Sequence, residues 1–128
     1  MSTQNKDPRP PVAIGHVMVD VPDVADATKL LTSIGLRRVA GNDRFTVLEL
    51  RGGTHLIVQK SDRAIAAGAH APFDLMVDDV DATRTEHVAL GLDPSPIERG
   101  TIHDTYTISA MGGYRLSITS SHAGDRPV

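Results

Sequence analysis

The sequence predicts an α+β fold made of two copies of one βαβββ unit. Two repeats carry this reading. Gly15-His16-Val17-Met18-Val19-Asp20-Val21-Pro22-Asp23-Val24 returns 56 positions later as Ala71-Pro72-Phe73-Asp74-Leu75-Met76-Val77-Asp78-Asp79-Val80, and the same offset lays Ile34-Gly35-Leu36 on Leu90-Gly91-Leu92. Further on, Arg51-Gly52-Gly53-Thr54-His55-Leu56-Ile57-Val58 returns 60 positions later as Met111-Gly112-Gly113-Tyr114-Arg115-Leu116-Ser117-Ile118. The second copy therefore carries an insertion of about four residues, which costs a loop little entropy. A duplicated unit of this size is an internal repeat to be read before anything else.

Each element has a local cause. Val12 to Val21 is β-branched and alternating, as a half-buried strand is. Asp23 is an N-cap, and Val24 to Ser33 is a helix with Leu30, Leu31 and Ile34 on one side. Gly35 stops it. Leu36 to Ala40, Arg44 to Arg51 and Thr54 to Lys60 are three strands, with Gly41-Asn42-Asp43 and Gly52-Gly53 as hairpin turns between them. Ser61 to Ala71 (SDRAIAAGAHA) is a small, polar joint. Phe73 to Val77 opens the second copy, Asp79 or Asp81 caps a helix running to Leu90, and Gly91 ends it. Short strands follow near Ser95 to Glu98, Asp104 to Ala110 and Tyr114 to Ser120.

Composition narrows the function classes. The 128 residues carry 13 Lys and Arg against 16 Asp and Glu, a net charge of −3, with 40% hydrophobic and 23% charged residues. These are the proportions of an ordinary globular domain. No apolar run approaches the ~20 residues of a membrane span. Met1 to Pro11 (MSTQNKDPRPP) lacks the apolar stretch of a signal peptide, so a cytoplasmic protein is expected. The absence of cysteine excludes disulfide frameworks, zinc ribbons and thiol nucleophiles. Aromatics at 3% and the lack of a basic block argue against nucleic acid as a partner.

The pieces His16-Val17-Met18-Val19-Asp20-Val21-Pro22-Asp23, Ile34-Gly35-Leu36, Phe73-Asp74-Leu75-Met76-Val77-Asp78-Asp79-Val80-Asp81 and Gly113-Tyr114-Arg115-Leu116, in order and duplicated, resemble the vicinal oxygen chelate superfamily. That group includes glyoxalase I, methylmalonyl-CoA epimerase, fosfomycin-resistance enzymes, extradiol dioxygenases and bleomycin-binding proteins. The resemblance covers nearly all of residues 12–121. It implies one glyoxalase-like domain over 12–122, with module one at 12–60, a linker at 61–71 and module two at 72–122. A flexible arm at 1–11 and a tail at 123–128 flank it. The two modules would form a cupped eight-stranded mixed sheet with helices on its outer face and the ligand in the hollow. Metal-using members place four ligands in that cup, at the start of the first strand and on the fourth strand of each copy, where the ion polarises paired substrate oxygens.

Only one of these four positions keeps a donor here. His16 matches. Its repeat partner is Pro72, the last-strand position is Ser117, and its repeat partner is Ile57. Strand alternation puts His55 on the face of Ile57, Asp74 on that of Pro72, and Arg115 on that of Ser117. The expected cup set is therefore His16, His55, Asp74, Arg115 and Ser117. His16, His55 and Asp74 would make a two-His, one-carboxylate set suited to iron or another divalent metal. The metal candidates are thus His16 and His55, for iron, zinc, nickel or manganese, with no cofactor at all as the favoured alternative. Arg115 has the fork that suits a carboxylate or phosphate, and Asp74 is its expected structural partner if no ligand fills that role. His103 at the rim is a candidate acid or base. Tyr106, on the strand after it, is a further expected ligand contact. His70, in the joint, and His87, in the second helix, are expected to have no functional role, and His122 reads as a surface end.

Three function classes follow. The first is a module that holds a small polar or anionic molecule with His16, His55, Tyr106, Arg115 and Ser117. The second is a glyoxalase- or dioxygenase-like isomerase, lyase or oxygenase, with a rearranged metal site or with metal-free acid–base chemistry by His16 and Asp74 or His103. The third is a dimer subunit with no ligand of its own. Pairing with a second copy is also expected in the first two.

Overall fold

The computed structural model describes residues 6–128. The expected arm at 1–11 lies in part outside them. Strands β1 (His16–Val21), β2 (Arg37–Gly41), β3 (Phe45–Glu49) and β4 (His55–Lys60) form one sheet in the order β1-β4-β3-β2. Helix α1 (Val24–Ser33) connects β1 to β2. Strands β5 (His70–Val77), β6 (Thr105–Ala110) and β7 (Tyr114–Ser120) form a second sheet in the order β5-β7-β6, with α2 (Val80–Ala89) following β5. In each module the first strand pairs in parallel with the last, and the remaining pairs are antiparallel. The two sheets approach along β1 and β5 without a shared hydrogen-bonded ladder. The Tyr114 hydroxyl donates to the Asp20 carbonyl at 3.2 Å across this seam.

Both helices start and stop as their sequences dictate. Asp23 accepts from the Asp26 amide at 3.0 Å and Asp79 from the Ala82 amide at 2.9 Å, each with extended backbone at the cap. Such a cap stabilises a helix by about 1 kcal/mol. Gly35 (φ +122) and Gly91 (φ +74) follow the helix ends in a conformation that other residues resist. The buried side of α1 is Val24, Ala27 and Leu31. It packs on Val19 and Val21 of β1, Leu48 of β3, and Leu56 and Val58 of β4, all at most 1% exposed. Thr46 is also buried on this side, its hydroxyl meeting that of Thr28 at 2.8 Å.

The second module departs from expectation in three places. The strand expected near Ser95–Glu98 is reduced to a bridge between Glu98 and Thr105. Residues 92–98 still follow β6, through Ser109 to Leu92, Ser95 to Thr107 and Glu98 to Thr105. Pro94 and Pro96 remove two of the donors that a continuous ladder needs. The described strands therefore number four and three. Arg84 of α2 holds this segment instead, donating to the carbonyls of Ser95 (2.7 Å) and Pro94 (3.1 Å). Next, β5 begins at His70, inside the segment read as a joint, and its pairing with β7 slips between His70 and Asp74.

The third departure is His87, which lies on the core side of α2, 3% exposed, with Nδ1 at 2.8 Å from the Tyr106 hydroxyl. Tyr106 is 1% exposed and shares its face with Ile108, so it faces the helix, on the side away from the open face. Its neighbours Thr105 and Thr107 take the other face by strand alternation.

This buried pair makes stability depend on pH at both ends. Burial holds the His87 imidazole below its ordinary range. The unfolded chain takes up a proton near ~6.5 where the folded chain does not. Stability is then complete above that pH and falls as the pH drops below it. Burial also pushes the Tyr106 phenol up to about 12. The unfolded chain loses that proton near ~10, so stability falls again above that pH. Urea midpoints measured from about pH 5 to 8 are expected to fall on the acid side, and a flat profile contradicts a neutral buried His87. Tyr106→Phe, which leaves Nδ1 unpartnered, should cost about 1–2 kcal/mol at neutral pH.

Candidate functional site

The helix-free face of the first sheet carries a row with one side chain from every strand. His16 of β1 is the register partner of His55 on β4, His55 of Glu49 on β3, and Glu49 of Arg37 on β2. Alternation forces them together: Leu48 and Leu56 face α1, so Glu49 and His55 face away. The imidazole rings of His16 and His55 stand edge to face, centroids 6.1 Å apart. His55 Nε2 lies 3.0 Å from Glu49 Oε2, and Arg37 binds the other oxygen of Glu49.

The electrostatics fix the roles. The Arg37 guanidinium, and then His55, hold the Glu49 carboxyl below its ordinary range. At neutral pH Glu49 is an acceptor, so His55 Nε2 is the donor and a neutral His55 keeps its basic lone pair on Nδ1. Glu49 is 21% exposed and Arg37 77%, so the carboxylate is sheltered while the guanidinium reaches solvent.

Two further tiers lie beside this row on the same face. Met18, Ile57 and Val47 are register partners and make an apolar tier. Asp20, Gln59 and Phe45 make the next, with Gln59 donating to Asp20 at 2.8 Å. Charge, apolar surface and amide thus follow one another along the strands.

The second sheet presents a hydroxyl-rich counterpart. Asp74, Ser117 and Thr107 are partners across β5, β7 and β6, and Met76, Thr119 and Thr105 are the next tier. Arg115 lies on this face and is held by the protein itself. It donates to the Thr107 hydroxyl (2.7 Å) and carbonyl (3.0 Å), to the Ser109 hydroxyl (2.7 Å) and to the Asp93 carbonyl (3.3 Å). Asp93 Oδ2 is 3.6 Å from its Nη1. The acid that pairs with Arg115 is therefore Asp93, not Asp74.

No family model matches the chain, and no curated protein matches it in sequence. Solved structures do. A lactoylglutathione lyase from Agrobacterium tumefaciens matches with a TM-score of 0.72 at 20% identity, over 91% of this chain and 99% of that one. A glyoxalase/bleomycin resistance protein/dioxygenase from Alicyclobacillus acidocaldarius matches with a TM-score of 0.69 at 18% identity, over 88% and 93%. A genomically encoded fosfomycin resistance protein from Listeria monocytogenes matches with a TM-score of 0.68 at 13% identity, over 83% and 89%.

The chain has the vicinal oxygen chelate fold. His16 and His55 are neighbours on the open face, as alternation implied. Asp74 belongs to the other sheet, and no three His, Asp or Glu among the described residues converge in a geometry that would hold a metal ion. Ile57, Pro72 and Ser117, expected at three of the four ligand positions, carry neither an imidazole nor a carboxylate. Ser117 sits between Asp74 and Thr107. His103 lies before β6, beside His122, and apart from this row.

Glu49 was missed by sequence reasoning, although the Gly52-Gly53 turn held the signal. The hairpin pairs Glu49 with His55 and Phe45 with Gln59, so every pair is centred on residue 52. Replacing Arg37 by Ala should move the Glu49 titration back toward the ordinary glutamate range, as read by carboxyl NMR. The stability that this pairing contributes is present above that range and lost as pH falls through it. An unmoved Glu49 titration contradicts the Arg37 pairing.

Proposed function

We propose that this is a vicinal oxygen chelate superfamily protein that binds a small anionic molecule with an apolar tail on the open face, its inherited metal site dismantled. The observation that carries this reading is the His16–His55–Glu49–Arg37 row lying beside the Met18–Ile57–Val47 tier. Arg37 offers an exposed fork to a carboxylate or phosphate. Two imidazoles supply further donors, and the apolar tier takes the tail. Ser117 and Thr107 supply hydroxyls from the second sheet if the two faces close over the ligand. Arg115 orients the Thr107 hydroxyl and need not touch the ligand.

The eight-stranded cup belongs to this proposal, with a second copy of the chain completing it. Met18 and Met76 are each more than half exposed on the open faces, and Phe45 and Val39 on β3 and β2 are exposed too. Exposed apolar groups of that kind suit an interface. A cytoplasmic location is part of the same reading.

The His55–Glu49 pair favours a second reading, a metal-free isomerase or lyase of glyoxalase-like type. A carboxylate that orients an imidazole and leaves Nδ1 basic is the arrangement of a general base. His55 would remove a proton next to a carbonyl, and His16 would return one.

Titration calorimetry with pyruvate, 2-oxobutyrate and 2-oxohexanoate tests both readings. Affinity is expected to rise along the series and to fall about tenfold or more in Arg37→Ala and in His16→Ala. Unchanged affinity in both variants refutes the binding site. Deuterium entering the carbon next to the carbonyl in heavy water, and lost in His55→Gln, selects the enzyme.

A further inference from the structure

A second cluster lies at the opposite module, before β6. Residues 98–103 and Thr105 line an open cleft of about 300 Å³. At one side of it His103 has its Nδ1 buried and without a hydrogen-bond partner, alone among the described side chains in this respect. The His122 ring stands beside it, centroids 5.3 Å apart and tilted by 46°. Register brings these segments together: Ser120 and Asp104 bond through the Ser120 amide and the Asp104 carbonyl, and again through the Asp104 amide and the Ser120 hydroxyl.

We propose that His103 and His122 together bind a divalent transition-metal ion of the zinc, nickel or copper class at this cleft, tying the loop before β6 to the chain end after β7. Three independent features support the assignment. The first is spacing. Two imidazoles on one tetrahedral ion, with metal–nitrogen bonds of about 2.0–2.1 Å, place their ring centroids about 5 Å apart. The His103–His122 pair already has that separation, whereas the His16–His55 pair is wider at 6.1 Å.

The second is the unpartnered nitrogen. A buried imidazole nitrogen without a partner is rare, and a metal ion satisfies it where the protein does not. The third is charge. Arg99 is bound by both Asp81 (2.7 Å) and Asp104 (2.9 Å), and Glu98 also lines the cleft. Arg126 donates to the His122 carbonyl at 3.1 Å, so three carboxylates stand against two guanidiniums and the balance is still negative, which favours a cation. Two nitrogen donors select a borderline ion over calcium or magnesium, and water fills the remaining positions.

The test uses the untagged 128-residue chain titrated with zinc chloride by calorimetry, and with copper(II) by electron paramagnetic resonance. One zinc per chain is expected at a dissociation constant on the order of micromolar, with two nitrogens coupled to copper. Saturating zinc should raise the melting temperature. His122→Ala, an exposed position, should weaken zinc binding about tenfold or more and abolish the rise, and His103→Gln should do the same. His16→Ala should leave both intact, which separates this site from the open-face row. Failure of zinc to bind below about 1 mM overturns the proposal. So does full binding in His122→Ala, or loss of binding in His16→Ala.

Discussion

Alternation along β4 is the constraint from which the rest of the first module follows. Leu56 and Val58 must lie under α1, so His55, Ile57 and Gln59 must face the other way. β4 pairs with β1 on one side and β3 on the other, and its register passes to both. His16 and Glu49 are therefore set on either side of His55 by backbone pairing before any side chain chooses a rotamer. Arg37 joins through β2. A shift of one residue anywhere in this ladder would turn the row into the core and expose Leu48 and Leu56. Burial of those leucines is thus what holds the polar row in place.

The second module uses the same scaffold with its charges exchanged. Arg115 stands 60 positions after His55, Ser109 60 after Glu49, and Asp93 56 after Arg37. The first sheet has its anion on β3, between an imidazole and a guanidinium. The second has its cation on the central strand, tied to hydroxyls on β6 and to Asp93 beyond it. Arg115 has its donors engaged inside the protein, which makes it a fixture of the sheet. Arg37 keeps most of its guanidinium in water. Of the two arginines in related rows, the one at the margin keeps its side chain in solvent beyond its pairing with Glu49.

The duplicated order was legible because it rests on local chemistry. Asp23, Asp79, Gly35 and Gly91 mark both helices, and strand alternation placed His16 and His55 on one face. What escaped had tertiary causes. His87 lies in a polar stretch of helix, and only its packing against β6 makes it a core residue. Tyr106 was assigned to the ligand because it is aromatic and near His103, although its parity with Ile108 put it inside. The partner of Arg115 was misread because Asp93 lies in an irregular segment whose position no periodicity reports. Glu49 shows the opposite case: the turn at Gly52 and Gly53 determined its register, and counting outward from it would have found the residue.

Pro94 and Pro96 have an effect beyond shortening a strand. A sheet border with free amides is a template on which foreign chains assemble, and β6 would otherwise be such a border. Residues 92–98 cover it with a flank that cannot itself propagate, since every second amide in its middle is missing. Arg84 clamps that flank from behind. The far border of the first sheet has no such cover at β2 among the described residues, and there the adjacent charges of Arg37 and Arg38 serve as the deterrent. The molecule thus guards its two margins against aggregation by different means, one through missing donors and the other through repulsion.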